Sequence, residues 1–157
     1  MNGGCYYFEK KYLNYTEAQE NCKTKFGPGL VGRLVEPQTI KIGNALVRKA
    51  NATLGVSTFW MGYDHIGHPQ GDFHYVHTKI ISPFDREGHP NLSDGVDGDC
   101  ARIRWNSQIN DVDLDDVECS SLFTSVCEVN VIPKTKSTGY EKSFQTPKTY
   151  LLQITVC

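Results

Sequence analysis

Apolar residues recur first at helical spacing and then in short runs with the period of strands. Ala18, Cys22 and Phe26 fall four apart and predict the buried face of a helix over residues 14–26. Thr16 and Gln19 have capping-box spacing at its start, and Phe26-Gly27-Pro28-Gly29 ends it. Residues 30–35 read as a short apolar strand. Glu36-Pro37 then opens a second helix, with Pro37 tolerated at the first position. Ile42, Ala45, Leu46 and Lys49 or Ala50 form its buried stripe, and residues 51–55 close it. From Thr58 onward the pattern predicts strands at 59–63, 72–79, 100–105 and 123–129. Residues 80–99 carry little periodicity and the turn formers Pro83, Gly88, Pro90, Gly95 and Gly98, and an irregular loop of that length in a compact domain is usually functional. A strand or hairpin, two helices, then strands and a long loop make an α+β pattern. The boundaries that follow are one domain over 1–130 and a disordered tail over 131–157, where Lys134, Lys136, Lys142 and Lys148 stand against the single Glu141.

Composition narrows the function classes. The chain has 157 residues and is 39% hydrophobic, enough to build one core. A net charge of −2 offers no electrostatic footprint for nucleic acid. No apolar run approaches the ~18 residues that span a bilayer. Six cysteines without a Cys-x-x-Cys pair argue against structural zinc and for an oxidising compartment. Met1-Asn2-Gly3-Gly4 leads straight into Cys5 without the charged stretch and apolar core of a signal peptide, so the expectation is a secreted protein whose signal precedes this chain. No Gly-x-Ser-x-Gly motif or Cys-plus-His arrangement supplies an activated nucleophile, and no enzyme activity is expected.

Short motifs in a fixed order carry a resemblance. The helix that ends in Cys22, Phe59-Trp60-Met61-Gly62-Tyr63, Gly88-His89-Pro90-Asn91, Leu114-Asp115-Asp116-Val117-Glu118-Cys119 and Val126-Cys127-Glu128 succeed one another along residues 5–128. Together they resemble the C-type lectin-like domain family: its first helix, its Trp-Ile-Gly-Leu core strand, its Glu-Pro-Asn triad, its Trp-Asn-Asp-Val-Pro-Cys segment and its terminal Cys-Glu strand. The resemblance implies two helices packed on antiparallel sheets with a long calcium-binding loop. It also implies the disulfides Cys22–Cys127 and Cys100–Cys119, a nested choice that counting cysteines does not make. Cys5 and Cys157 stay unmatched: the two could pair with each other, or either could bridge to a second chain in a disulfide-linked dimer.

The function that the resemblance implies is calcium-dependent binding of glycans outside the cell. Calcium takes six to eight oxygens, and vicinal sugar hydroxyls complete its shell. The implied metal ligands are Asn91, Asp115 and Asp116, with Asp97 a fourth, and the implied sugar contacts are His89, Asn91 and Asp115. Pro90 would be the cis proline that aims its neighbours at the ion. His89 departs from the family, because imidazole stands where Glu or Gln supplies oxygen and suits zinc or copper better. Two outcomes therefore stay open: weak calcium binding with His89 on the sugar, or a protein-binding domain that has lost metal and sugar.

Other features have plainer explanations. All five histidines lie between positions 65 and 89, but His74 and His77, three apart in an expected strand, face opposite sides and cannot chelate together. The run Asp111-Val-Asp113-Leu-Asp115-Asp116 opens like an EF-hand, yet Asp116 occupies the required glycine position and Leu122 that of the bidentate Glu. Asn14-Tyr-Thr16, Asn51-Ala-Thr53 and Asn91-Leu-Ser93 are N-glycosylation sequons. Trp60 is expected in the core, while Trp105 suits either core or sugar platform.

Overall fold

In a computed structural model, residues 4–66, 73–84, 98–130 and 155–156 are described. The elements in chain order are β1 (Gly4–Leu13), α1 (Tyr15–Cys22), β2 (Arg33–Leu34), α2 (Ile40–Leu54), β3 (Thr58–Asp64), β4 (His74–Tyr75), β5 (Cys100–Asn106), β6 (Asp111–Val117), β7 (Phe123–Asn130) and β8 (Thr155–Val156). The strands form one sheet in the order β6-β5-β3-β7-β1-β8, with β2 on β7 and β4 on β3. The α+β class with two helices is that expected from the pattern.

Local chemistry explains where each helix begins. The capping box at α1 sits two residues before the Thr16–Gln19 spacing. Asn14 Oδ1 accepts from the Glu17 backbone N–H at 2.9 Å, and Glu17 returns a bond to the Asn14 N–H. That shift puts Tyr15, Ala18 and Cys22 on the buried face. Helix α2 starts at Ile40 rather than at Pro37, because Thr39 Oγ1 caps it through the Ile42 N–H. Its buried stripe is Gly43, Leu46, Val47 and Ala50, and Gly55 closes it in the left-handed region at φ 71°.

Glu36 has a different task. Its buried carboxylate accepts from the backbone N–H groups of His77 at 2.5 Å and Thr78 at 3.1 Å. It thereby holds the turn that follows β4, and among the described residues of the strand expected over 72–79 only His74–Tyr75 pair.

Two clusters make the core. The larger fills the space between α2 and the sheet and includes Val35, Leu46, Phe59, Met61, Tyr63, Phe73, Tyr75, Phe84, Ile103 and Leu114. The smaller gathers Tyr15, Ala18, Cys22, Leu34, Trp60, Cys100 and Cys127 under α1. Trp60 is its centre, fully buried, edge-on to Tyr15 at 5.3 Å and to Phe123 at 4.9 Å, with its indole N–H donated to the Leu13 carbonyl at 2.8 Å. Both implied disulfides are present: Cys22–Cys127 links residues 105 apart, and Cys100–Cys119 links residues 19 apart. Cys5 is disulfide-bonded as well, while Cys157 lies outside the described residues.

Residues 131–154 of the expected tail also lie outside the described residues, but Thr155 and Val156 form β8, parallel to β1 opposite Cys5 and Tyr6. Helix α2 meets the sheet closely at Gly43, where an added Cβ would collide with the Phe84 ring. Gly43→Val is therefore expected to cost about 1–3 kcal/mol through overpacking, read as a lower urea midpoint with an unchanged slope.

Candidate functional site

The end of the sheet to which the long loop returns is built by four segments. Cys100 opens β5 and is tied to Cys119 just beyond β6. Beside this clasp, His65 follows β3; its Nε2 lies 3.0 Å from Asp99 Oδ1, and its backbone N–H donates to the Asp99 carbonyl. The His65 ring also rests 4.8 Å from that of Phe73. The loop returns to β5 through Gly98 and Asp99, with Gly98 packed against the backbone of Val117 and Glu118.

The acidic run is a strand rather than a solvated loop. Residues Asp111–Val117 form β6, paired in register with β5 so that Arg104 faces Asp113 and Arg102 faces Asp115. Arg102 Nε and Nη2 donate to Asp115 Oδ2 at 2.7 and 2.5 Å, and Arg104 Nη1 approaches the same oxygen at 3.4 Å. Arg104 Nε also donates to Asp113 Oδ1 at 3.0 Å, and Asn106 donates to Asp113 Oδ2 at 2.7 Å. The Arg102 guanidinium lies over the Phe123 ring at 4.6 Å. Cross-strand pairing of opposite charges thus offsets the repulsion among the carboxylates. Beside Asp113 and Asp115 the Arg104 guanidinium has its pKa raised, against the lowering that its burial causes. The signal for this ladder was already in the chain, as Arg102-x-Arg104 and Asp113-x-Asp115 share the strand period of two.

Asp115 and Asp116 are consecutive in a strand, so they take opposite faces. Asp116 has the parity of the core residues Val112 and Leu114 and is 5% exposed. Of the residues implied as ligands or sugar contacts, Asp115 is held by the arginines and Asp116 is buried across the strand from it. His89, Pro90, Asn91 and Asp97 lie outside the described residues. Among the described residues, no group of three or more His, Cys, Asp or Glu side chains is placed to hold a metal ion. Asp115 does not fit the calcium role as it stands, because two guanidinium groups already share its Oδ2 and would repel a cation.

This architecture, with a disulfide-clasped hairpin and two helices against one sheet, is the C-type lectin-like fold. No family model matches the sequence, and no curated protein matches it either. Solved structures do. Human lithostathine has 21% identity and a TM-score of 0.62, over 83% of this chain and 86% of that one. The C-type lectin CEL-I from Cucumaria echinata has 15% identity and a TM-score of 0.66, over 83% and 92%. The C-type lectin domain of murine dendritic cell inhibitory receptor 2, solved in complex with N-glycan, has 17% identity and a TM-score of 0.63, over 83% and 94%.

Proposed function

We propose that the chain is an extracellular recognition domain, not an enzyme, which binds glycans at the loop end of the β5–β6 hairpin. The observation that carries this is the Cys100–Cys119 clasp, which fixes the start of β5, where the long loop returns, on a fold shared with two proteins described as C-type lectins. A rigid base of this kind lets a loop present polar groups in a fixed arrangement to vicinal hydroxyls. Calcium, where it assists, would be held by Asp116 together with Asn91 and Asp97 from the loop, and His89 would meet the sugar. The two disulfides support the extracellular assignment, since such bonds persist in oxidising compartments.

A second reading has its own observation. The ion pairs of Arg102 and Arg104 neutralise Asp115, and a domain that binds protein without calcium would keep such a ladder. Thermal unfolding with calcium and with chelator separates the two. An ion that binds only the native state raises the midpoint by mass action, and chelator then elutes the protein from immobilised mannose or galactose. In Arg102→Ala, where Asp115 is partly released, the calcium-dependent shift is expected to grow. No shift at millimolar calcium in either protein, together with no retention on sugar, would leave the protein-binding reading.

A further inference from the structure

At the far end of β5 from the clasp, a cavity of about 390 Å³ is lined by Val47, Arg48, Asn51, Ser57, Trp105 and Asn110. Its volume falls in the ~300–1,000 Å³ range of small-ligand sites. Trp105 is half-buried at its wall, packed on one side against the main core. Two turns shape the rim: Gly55 at the end of α2 and Asn110 between β5 and β6, both with positive φ. Among the described residues, the Trp105 indole N–H and the side chains of Arg48, Asn51 and Asn110 make no hydrogen bond or ion pair. One aromatic face and several unspent donors around a single cavity suit a sugar ring, which offers C–H groups to the indole and hydroxyl and acetamide oxygens to the donors.

The source of that sugar lies on the rim. Asn51-Ala52-Thr53 is a sequon whose three residues are all exposed on the last turn of α2. The other described sequon differs, because Asn14 spends its Oδ1 on the α1 cap and is followed by a fully buried Tyr15.

We propose that Asn51 carries an N-linked glycan whose first N-acetylglucosamine lies in this cavity against Trp105. The donor is an oligosaccharide on a polyisoprenyl pyrophosphate, acted on by a secretory-pathway transferase. A bond forms from Asn51 Nδ2 to the anomeric carbon, the bond from that carbon to the pyrophosphate oxygen breaks, and the lipid pyrophosphate leaves with the electron pair. The amide proton passes to a base of the transferase. The glycan then shields the indole and caps an otherwise open end of the sheet. This rests on the extracellular reading above, but not on calcium or on glycan binding at the long loop.

The full chain, directed into the secretory pathway of a eukaryotic host by an appended signal peptide, provides the test. Peptide mass spectrometry is expected to find glycan mass on Asn51 that Asn51→Gln and Thr53→Ala both lose. Acrylamide quenching of native protein is expected to rise in Asn51→Gln over the parent, and the rise is expected to vanish when both carry Trp105→Phe, since Trp60 is buried in each. A secreted, disulfide-bonded chain with Asn51 unmodified overturns the proposal while leaving lectin function intact. An occupied Asn51 with equal quenching overturns the docking on Trp105. A chain retained in the cell with free thiols overturns both this proposal and the extracellular reading.

Discussion

The double variant Cys22→Ala, Cys127→Ala is expected to unfold with about 4–5 kcal/mol less stability than the parent, and Cys100→Ala, Cys119→Ala with about 3 kcal/mol less. The difference follows from loop length, since the two bonds close segments with separations of 105 and 19 residues. In the chain-entropy account a longer closed loop removes more freedom from the unfolded chain. The longer bond also sits in the cluster around Trp60, with both cysteines fully buried, so alanine leaves unfilled space there too. For a chain of this length the loss lowers the melting temperature by roughly 10–15 °C. Thermal unfolding of the two double variants checks the order. Equal losses would show that loop length does not control the effect.

The second large effect is a dependence on pH that centres on Glu128. Burial pushes its carboxyl up to about 7; the Arg33 guanidinium, donating to Oε1 at 3.0 Å, opposes the rise, and the Glu36 charge adds to it. The native state therefore keeps a proton between about pH 4.5 and 7 that the unfolded chain has released. Native protein binds more protons over that window, so the Glu128 contribution to stability is present below about pH 4.5 and is lost as pH rises to 7. The loss is on the order of 2–3 kcal/mol.

Glu9 acts in the opposite direction. Its burial would raise the pKa, but hydrogen bonds from Lys25, Asn21 and the Lys11 backbone outweigh that and lower it to about 2. Its contribution is present above about pH 4.5 and is lost as pH falls toward 2. Together these two groups place their joint optimum near pH 4–5. Glu128→Gln is expected to flatten the decline between pH 4.5 and 7 and to leave the acid limb unchanged, measured as melting temperature against pH. An unaltered decline in that variant would remove Glu128 as its cause.

Several features of the molecule were legible along the chain. The helix face of Ala18 and Cys22, the core role of Trp60 and the strand periods around β3, β5 and β7 depend on local spacing, which a sequence displays directly. Motif order was enough to place the fold and both disulfides through the resemblance. Helix starts were less legible, because Thr16, Asn14, Pro37 and Thr39 offer competing local solutions. Packing of Tyr15 and the use of Glu36 to hold the turn at 77–78 selected among them. Thr155 and Val156 have no local mark of pairing, and their strand forms on the edge that β1 offers.

The candidate site divides in the same way. Sequence alone determined that carboxylates cluster before Cys119 and that Cys100 directly follows the chain's long irregular segment, since both are matters of order and composition. Only the tertiary structure decided what the carboxylates face. Register across the β5–β6 hairpin brings Arg102 and Arg104 onto Asp115 and Asp113 and sends Asp116 to the opposite side. A side chain's partner is set by which strands lie adjacent and how they are aligned, and neither is written in the residues of one strand.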